Sequence, residues 1–360
     1  METTRRSILS TALLSGLCGC SAIRGQQNRL NWSARVADDL LTEKIHVDDD
    51  RVAVATPSGR LALLRTDSGE SVTEGRSREH LGDFAGTPPL AVRNLYLTFT
   101  DKVYAVTESG EVSWVQQLPT DGYISVASRP IVIEDQIYVT SDDGSVLRVD
   151  PRNRSISELE LPPIPGNWWN SDNHRAVVGT ESYRTVVVDF TEEEVLWSRS
   201  GLPRDYPSFY NSDVITSTMR DDQLVVQRVD PDASEIRWTS SVPGNRVTFT
   251  GQLSSEMIAV VSQYPWEREE PSQATLIEAV SGEITDTYEL APRTIPSGEI
   301  SQGSLILTST TGDVLSINPD DGLTRHFQSE SQIASPATVH NDRVVFATNN
   351  GEVRSHSLDQ

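Results

Sequence analysis

The sequence predicts an all-β fold of eight four-stranded antiparallel sheets, arranged as the blades of a propeller. The first observation is a recurring unit of an apolar strand, a tight turn and a second apolar strand, as in Gln136–Asp150 and Ser304–Asn318. The second observation is its period of about forty residues, too short for a sheet that buries both faces alone. The units begin near Arg51, Asn94, Gln136, Arg175, Val214, Met257, Ser304 and Arg343.

Several units end on a tryptophan. The segments Glu111-Val-Ser-Trp114, Glu194-Val-Leu-Trp197 and Glu235-Ile-Arg-Trp238 place an acid, an apolar residue and an indole at one spacing. Alternation along a strand would put Ile236 and Trp238 on the same face. We therefore predict that these indoles pack in the gap between adjacent blades rather than serving as a platform for a ligand.

The two ends of the repeat array predict how the ring closes. The segment Leu30-Asn-Trp-Ser-Ala-Arg-Val36 is similar to the last strand of a unit, and the unit that begins at Arg343 has no such strand. We expect the N-terminal strand to complete the last blade, because this pairing removes two exposed sheet edges. The predicted propeller domain covers residues 30–360.

The units resemble the PQQ-like repeat, in which an apolar strand is followed by Leu-Tyr-Ala-Leu-Asp, Thr-Gly-Glu and apolar-x-Trp. The segment Lys102-Val-Tyr-Ala-Val-Thr-Glu-Ser-Gly-Glu-Val-Ser-Trp114 is close to this pattern. The resemblance extends over residues 30–360 and implies an eight-bladed propeller of the BamB-like lipoprotein type, which is not enzymatic. A shared repeat identifies a scaffold more specifically than it identifies a function.

Residues 1–19 are predicted to be an export signal. Arg5 and Arg6 resemble the twin-arginine signal, and the apolar stretch after them is too short to span a bilayer. Leu17-Cys-Gly-Cys20 resembles a lipobox, which implies cleavage before Cys20 and attachment of a lipid to its thiol. Residues 20–29 would then be a linker, and the protein would be anchored to the cell membrane outside the cytoplasm. An uncleaved anchor and a secreted chain without lipid are the alternatives.

The charge of the chain restricts its partners. It has 52 acidic and 30 basic residues, a formal net charge of -22, and its lysines are Lys44 and Lys102. An acid excess with little lysine is typical of proteins in molar salt, where ions screen the repulsion between carboxylates. The composition thus resembles that of haloarchaeal secreted proteins. Nucleic acid is not an expected partner because the sequence has no basic stripe, and the lipid is the only expected link to the membrane.

Three turn-rich stretches are candidate recognition loops for a peptide or a glycan. They lie between the third and fourth units, one unit later, and inside the sixth unit. Loops at the ends of a propeller are where binding residues concentrate. Packing of these stretches onto the disc, or a mobile hairpin tip for the third, is the alternative. The candidate residues are Trp168, Trp169, Asp172, His174, Phe209, Tyr210 and Trp266.

The sequence gives little support for catalysis or metal binding. The Asp-Gly pairs at Asp143-Gly144 and Asp321-Gly322 are typical of tight turns and lack the spaced acids of a calcium loop. No Gly-x-Ser-x-Gly motif is present, and the histidines are scattered. Dehydrogenases that use PQQ share this repeat, but they are longer and carry a vicinal disulfide that this chain cannot form. We therefore predict no metal, no cofactor and no enzymatic activity.

The sequence as a whole predicts a monomeric, lipid-anchored scaffold that binds a protein partner in the cell envelope. Capture or sensing of an extracellular small ligand or glycan is the alternative, and a PQQ-dependent dehydrogenase is a remote one. The first two differ in the site they require. Ligand capture needs a deep pocket lined by aromatic side chains and converging polar groups, whereas a scaffold needs a broad and shallow patch.

Overall fold

The computed structural model describes residues 30–36, 45–55, 61–72, 90–92, 94–99, 102–106, 112–117, 131–141, 143–164, 166–180, 184–200, 206–264, 270–290 and 298–358. Regular secondary structure in these ranges is entirely β, and no helical segment in them has the length and apolar character that crossing a bilayer requires. The strands are β1 (Leu30–Arg35), β2 (His46–Val47), β3 (Arg51–Ala55), β4 (Leu61–Arg65), β5 (Leu90–Val92), β6 (Asn94–Phe99), β7 (Lys102–Val106), β8 (Val112–Gln117), β9 (Ile131–Ile133), β10 (Gln136–Thr140), β11 (Val146–Asp150), β12 (Ser155–Glu158), β13 (Gly166–Asp172), β14 (Arg175–Thr180), β15 (Arg184–Asp189), β16 (Glu194–Ser200), β17 (Ser208–Tyr210), β18 (Asp213–Arg220), β19 (Gln223–Asp230), β20 (Glu235–Val242), β21 (Arg246–Gln252), β22 (Met257–Gln263), β23 (Gln273–Glu278), β24 (Ile284–Glu289), β25 (Glu299–Ser301), β26 (Ser304–Thr308), β27 (Asp313–Asn318), β28 (Gly322–Gln328), β29 (Thr338–His340), β30 (Arg343–Ala347) and β31 (Glu352–Ser357).

The strands form small antiparallel sheets that follow one another along the chain. Seven of the sheets in the described ranges have four strands: β5–β8, β9–β12, β13–β16, β17–β20, β21–β24, β25–β28, and β29–β31 together with β1. A further sheet, β2–β4, has three strands. The prediction of eight four-stranded blades is therefore wrong, because the described residues form seven four-stranded blades.

The repeat that begins at Arg51 has three strands among the described residues. After β4 the chain turns through Thr66–Gly69, and Ser71 then makes an isolated bridge to Leu64. The described part of this repeat ends at Val72.

The predicted unit starts all lie at, or within one residue of, the second strand of a sheet. For example, β10 begins at Gln136 and β26 begins at Ser304. Each is preceded by a short strand, such as β9 and β25 with three residues each, which the sequence analysis did not separate from the loop before it. The first strands of neighbouring sheets contact one another, as β9, β13, β17 and β21 do in succession, and so they surround the centre of the ring.

The predicted closure by the N-terminal strand is confirmed. Strand β1 pairs antiparallel with β31, in a register that puts Leu30 opposite His356 and Arg35 opposite Glu352. Trp32 in the middle of β1 is buried against the three-stranded sheet, beside Val52 and Leu64. Strand β1 therefore joins the last four-stranded blade to the first sheet of the chain.

The core is a series of apolar layers between facing sheets rather than one central cluster. One layer joins β9–β12 to β13–β16, another joins β17–β20 to β21–β24, and a third joins β25–β28 to the closing blade. Because each layer needs both of its sheets, the burial of apolar area holds neighbouring blades together.

One end of the disc, here called the turn face, carries the turns between first and second strands and between third and fourth strands. The turns are tight and several residues in them have positive φ, for example Asp135 at 65° and Asn341 at 46°. Aspartate and asparagine tolerate this conformation, which explains the Asp and Asn pairs in the sequence. The turns comprise residues 48–50, 66–70, 134–135, 151–154, 173–174, 190–193, 211–212, 231–234, 253–256, 279–283, 302–303, 319–321 and 341–342.

Candidate functional site

The first predicted recognition stretch forms a strand rather than a loop. Trp168 and Trp169 belong to β13, the first strand of its blade, and pair with Gly179 and Val178 of β14. Asp172 ends β13 and lies 3.5 Å from the guanidinium of Arg175. Its polar and aromatic residues are typical of a loop, yet main-chain pairing to the apolar strand β14 fixes it near the centre of the ring.

His174 and its partner belong to the turn face. Its imidazole Nε2 lies 3.2 Å from the carboxylate of Asp189, at the end of the third strand of the same blade. The other carboxylate oxygen of Asp189 accepts hydrogen bonds from the backbone N–H groups of Thr191 and Glu192. His174 therefore contacts a carboxylate that already organises the neighbouring turn.

The second predicted stretch forms β17, where Phe209 and Tyr210 are buried. The guanidinium of Arg228 lies 4.6 Å from the centre of the Tyr210 ring, and the Tyr210 hydroxyl donates a hydrogen bond of 2.5 Å to the backbone carbonyl of Ser255. Phe209 contacts Arg175 of the preceding blade in the same manner. Both aromatic side chains therefore connect adjacent blades and have little surface for a partner. Trp266, Cys20, Arg5 and Arg6 lie outside the described residues.

Tryptophans on outermost strands fill gaps between sheets, as predicted. Trp238 of β20 is buried and donates its indole N–H to the carbonyl of Ala279 in the next blade at 2.8 Å. Trp32 of β1 does the same to the carbonyl of Thr66 at 2.9 Å. Each ring lies against a glycine of the receiving turn, Gly282 and Gly69 respectively. We call this arrangement the indole plug.

The face on which Trp238 lies was not predicted correctly. Alternation placed Ile236 and Trp238 together, but the register shifts between Arg228 and Val229, so that Arg228 pairs with Trp238 and Val229 pairs with Ile236. Ile236 is 38% exposed as a result, whereas Trp238 is 7% exposed. This bulge turns the indole toward the next blade.

Because of the indole plug, we expect alanine to lower the free energy of unfolding by different amounts at two glycines of similar backbone conformation. Gly282 has a φ of 77° and a Cβ built on it would lie 2.7 Å from Trp238, whereas Gly303 has a φ of 73° and a Cβ there meets nothing within 4 Å. Gly303→Ala should cost about 1–2 kcal/mol for the left-handed backbone alone. Gly282→Ala should cost about 1–3 kcal/mol more, because the indole must move. Urea unfolding of both variants checks this, and equal midpoints would contradict it.

Two grooves open between blades on the turn face. The Tyr138 groove has a volume of about 420 Å³ and lies between β9–β12 and β13–β16; the His326 groove has a volume of about 500 Å³ and lies between β25–β28 and the closing blade. The first is lined by Ile133, Glu134, Gln136, Tyr138, Arg148, Asp150, Ser155, Ser157, Phe190 and Thr191. The second is lined by Ser301, Gln302, Ser304, Ile306, Ser316, Asn318, Asp321, Thr324, His326, Val339, Asp342 and Leu358.

The Tyr138 groove is closed at its base by aromatic and ionic contacts. The rings of Tyr138 and Phe190 lie with centroids 4.2 Å apart, and Arg148 lies 3.2 Å from the carboxylate of Glu193 in the next blade. Burial raises the pKa of the Tyr138 hydroxyl. The groove is thus a cleft between an aromatic pair and a mixed set of charges, in a size range that ligand sites share.

The sequence contains a signal for both grooves in the residue type at the plug position. Trp238 is the fourth residue after Ser234, whose φ is 55°. The corresponding positive-φ residues are Arg154 in the turn before β12 and Gly322 at the start of β28. The fourth residues after them are Glu158 and His326. The grooves therefore lie beside blades that have no tryptophan at the plug position.

The exposed charges on the turn face are predominantly acidic. Among the described residues its exposed arginines are Arg152 and Arg154. Although the described residues include many carboxylates, no three or more of their His, Cys, Asp and Glu side chains group closely enough to hold a metal ion. The exposed carboxylates among the described residues of this face are Asp49, Asp50, Asp67, Glu70, Glu134, Glu192, Asp232, Glu256, Glu283, Asp320, Asp321 and Asp342.

A β-propeller is defined by the repeated four-stranded sheets, the apolar layers between them and the N-terminal strand that completes the last blade. A family profile described as "Outer membrane protein assembly factor BamB" matches residues 21–240, and the chain belongs to this family. No curated protein sequence matches the chain. These results agree with the repeat pattern, and the family match extends over more than half of the chain.

Solved structures show the same fold at low sequence identity. BamB from Moraxella catarrhalis is 14% identical with a TM-score of 0.66, over 90% of this chain and 96% of that one. The Dos1 propeller is 9% identical with a TM-score of 0.70, over 93% and 96%. The computationally designed Ika8 protein is 10% identical with a TM-score of 0.72, over 91% and 99%. At these identities the comparisons establish the fold alone.

Proposed function

We propose that this chain is a non-catalytic scaffold in the cell envelope, anchored through a lipid on Cys20, and that its turn face binds a basic surface of a protein partner. The family match supports an envelope role, since the family is described by an outer membrane assembly factor. The observation that carries the proposal is the concentration of exposed carboxylates on a face built from short turns, which hydrogen bonds connect to neighbouring blades.

The turns of neighbouring blades are joined directly, which makes this face rigid. Arg228 forms an ion pair of 2.5 Å with Asp213 of its own blade and donates a hydrogen bond of 2.8 Å to the carbonyl of Ala279 in the next. Gln302 donates a hydrogen bond of 2.6 Å to the carboxylate of Asp342 across another junction. A surface fixed in this way loses little conformational entropy when a partner binds.

The charge of the face determines the kind of partner. The carboxylates of Glu192, Asp232 and Glu283 are exposed on the third-to-fourth-strand turns of three successive blades. A broad surface of one sign attracts and orients a partner of the opposite sign, and like-charged partners are repelled. The expected partner is therefore a protein with a basic patch, and nucleic acid stays excluded by the same carboxylates.

Charge reversal on this face should remove binding. We expect the combined variant Glu192→Lys, Asp232→Lys and Glu283→Lys to retain at least tenfold less of the captured envelope protein than the wild type does. Capture is measured by mass spectrometry on solubilised envelope from the source cells, at the lowest salt that leaves the circular dichroism of the chain unchanged, because salt screens such attraction.

A matched control carries the same change of charge at the other end of the disc. Glu160, Glu289 and Glu330 are exposed there, at or just beyond the ends of fourth strands. Their combined change to lysine should leave capture as in the wild type. Equal loss in both triple variants would show that net charge, rather than the turn face, determines binding, and enrichment of no protein at all would refute the scaffold proposal.

A further inference from the structure

We propose that the His326 groove is the docking site for a tryptophan side chain carried on a basic segment of the protein partner. The inference rests on the proposed scaffold function and adds the chemistry by which the partner is recognised. At other junctions of this chain the protein's own aromatic side chains occupy the equivalent space.

Four junctions share one backbone arrangement, which makes their positions comparable. In each, the residue after the third strand donates its backbone N–H to the carbonyl of the first-to-second-strand turn of the same sheet. These hydrogen bonds run from Thr66 to Asp50 at 3.2 Å, from Phe190 to His174 at 3.0 Å, from Ala279 to Glu256 at 2.7 Å and from Leu358 to Asp342 at 2.8 Å. Leu358 in the His326 groove is therefore the counterpart of Ala279 and Thr66.

At two of these positions the carbonyl accepts the indole N–H of an indole plug, from Trp238 and from Trp32. At a further junction, between β21–β24 and β25–β28, the Tyr288 ring also lies beside the receiving turn, with its hydroxyl 3.5 Å from the position of a Cβ on Gly322. The space beside the receiving turn thus accommodates a flat aromatic ring with a polar edge, and the Leu358 carbonyl is the expected acceptor for an incoming indole.

In the His326 groove no aromatic ring of the preceding blade reaches this position among the described lining residues. His326 holds the plug position, but its imidazole Nε2 lies 2.8 Å from Ser316 Oγ of its own blade. Ile306 at the base is buried, and Val339 and Leu358 are partly buried. A partner's indole would cover these three apolar side chains.

The rim of the groove specifies the charge of the segment that carries the indole. Asp321 and Asp342 are exposed at the rim, and the residues that line the groove include no arginine or lysine. Lysine or arginine next to the tryptophan would neutralise these carboxylates. Residues 1–29 of the chain contain no aromatic residue, so that segment cannot supply the ring.

The test uses 5-fluorotryptophanamide as a cationic probe and N-acetyl-5-fluorotryptophan as its anionic counterpart, followed by fluorine NMR on the full-length chain. The amide should bind saturably in the millimolar range, as is usual for ligands of this size, and the anion should bind at least threefold more weakly. No saturable binding of the amide would overturn the proposal, and equal binding of the two probes would overturn its basic-segment part.

Two variants on one strand localise the site. Thr324 lines the groove and Leu323, its neighbour in β28, does not, and both side chains are exposed, so each tolerates a large substituent. Thr324→Trp should fill the groove and weaken probe binding at least tenfold, whereas Leu323→Trp should leave it unchanged. His326→Trp restores a tryptophan at the plug position and should act like Thr324→Trp. Wild-type probe affinity in both groove variants would place the probe elsewhere and overturn the proposal.

The same variants separate this inference from the proposed function. Capture of the envelope partner should fall with Thr324→Trp and persist with Leu323→Trp. Capture that is lost on charge reversal of the turn face but unchanged by Thr324→Trp would overturn the groove proposal and leave the scaffold intact. A second copy of this chain as the captured protein would overturn the inference that the partner is a different protein.

Discussion

A chain shortened to begin at residue 37 instead of residue 20 is expected to lose more stability than any single substitution in the ring causes. Strand β1 supplies the outermost strand of the closing blade and contributes Trp32 to the layer shared with β2–β4. Trp32→Ala alone should cost about 3–5 kcal/mol. The free energy of unfolding of a whole domain is only about 5–15 kcal/mol, so loss of the entire strand should approach global unfolding.

The strand itself provides the control. Leu30 lies in β1 and is 38% exposed, so Leu30→Ala should change the free energy of unfolding by less than about 0.5 kcal/mol. Urea unfolding followed by circular dichroism and by tryptophan fluorescence should show one transition in the control and an early transition in the shortened chain. A shortened chain with the wild-type midpoint would mean that the ring is stable without its closing strand.

Acidification is expected to destabilise the closing blade through His356. Its imidazole is buried between Phe327 and Phe346, with ring centroids 4.1 Å and 5.5 Å away. Neither ring nitrogen has a hydrogen-bond partner. Burial, followed by the positive charge of Arg354, lowers the pKa of His356 from 6.5 to about 4.

The direction of the pH dependence is set by the state, folded or unfolded, that binds the proton more readily. Between pH 6.5 and 4 the unfolded chain binds a proton at His356 that the folded chain does not, so stability falls as the pH falls through this window. The loss should reach about 2–3 kcal/mol at pH 4.5, and it should be absent above pH 7. His356→Phe keeps a ring in the stack and removes the titration, so its advantage over the wild type should appear only at the lower pH.

Guanidinium unfolding of the two proteins at pH 7.5 and pH 4.5 measures this difference directly. Carboxylates titrate in both proteins alike, so the comparison isolates the imidazole. An equal pH dependence in the two proteins would show that the folded chain admits the proton at no cost, contrary to the buried stack.

Much of the fold could be predicted from the sequence because the second and third strands of each repeat are apolar and joined by tight turns. This pattern located β10, β26 and β30 to the residue, and the lone strand at Leu30 predicted the closure. The number of four-stranded blades was wrong because a period of forty residues was equated with four strands, whereas the repeat that begins at Arg51 forms three strands in the described residues. Local patterns do not show whether a segment has a neighbour that will accept it as a strand.

The candidate site was less predictable, for a physical reason. Trp168 and Phe209 stand in polar or turn-rich sequence, and composition alone indicated loops, but the first strands of a propeller are short and take their register from the blade around them. The grooves lie beside blades that have Glu158 and His326 at the position that Trp238 occupies in its own blade, and this difference is recognised only when the repeats are compared. The repeats must be aligned with one another before a missing tryptophan at the plug position can be recognised.

The most direct test of the scaffold proposal is photo-cross-linking of the intact chain in its native membrane, with the photoreactive residue placed at Asp232 on the turn face or at Glu289 on the opposite end. Both side chains are exposed, so the two positions differ in location rather than in access. The proposal predicts a discrete cross-linked envelope protein from position 232 and none from position 289. Cross-linking from position 289 alone, or from neither position, would contradict it.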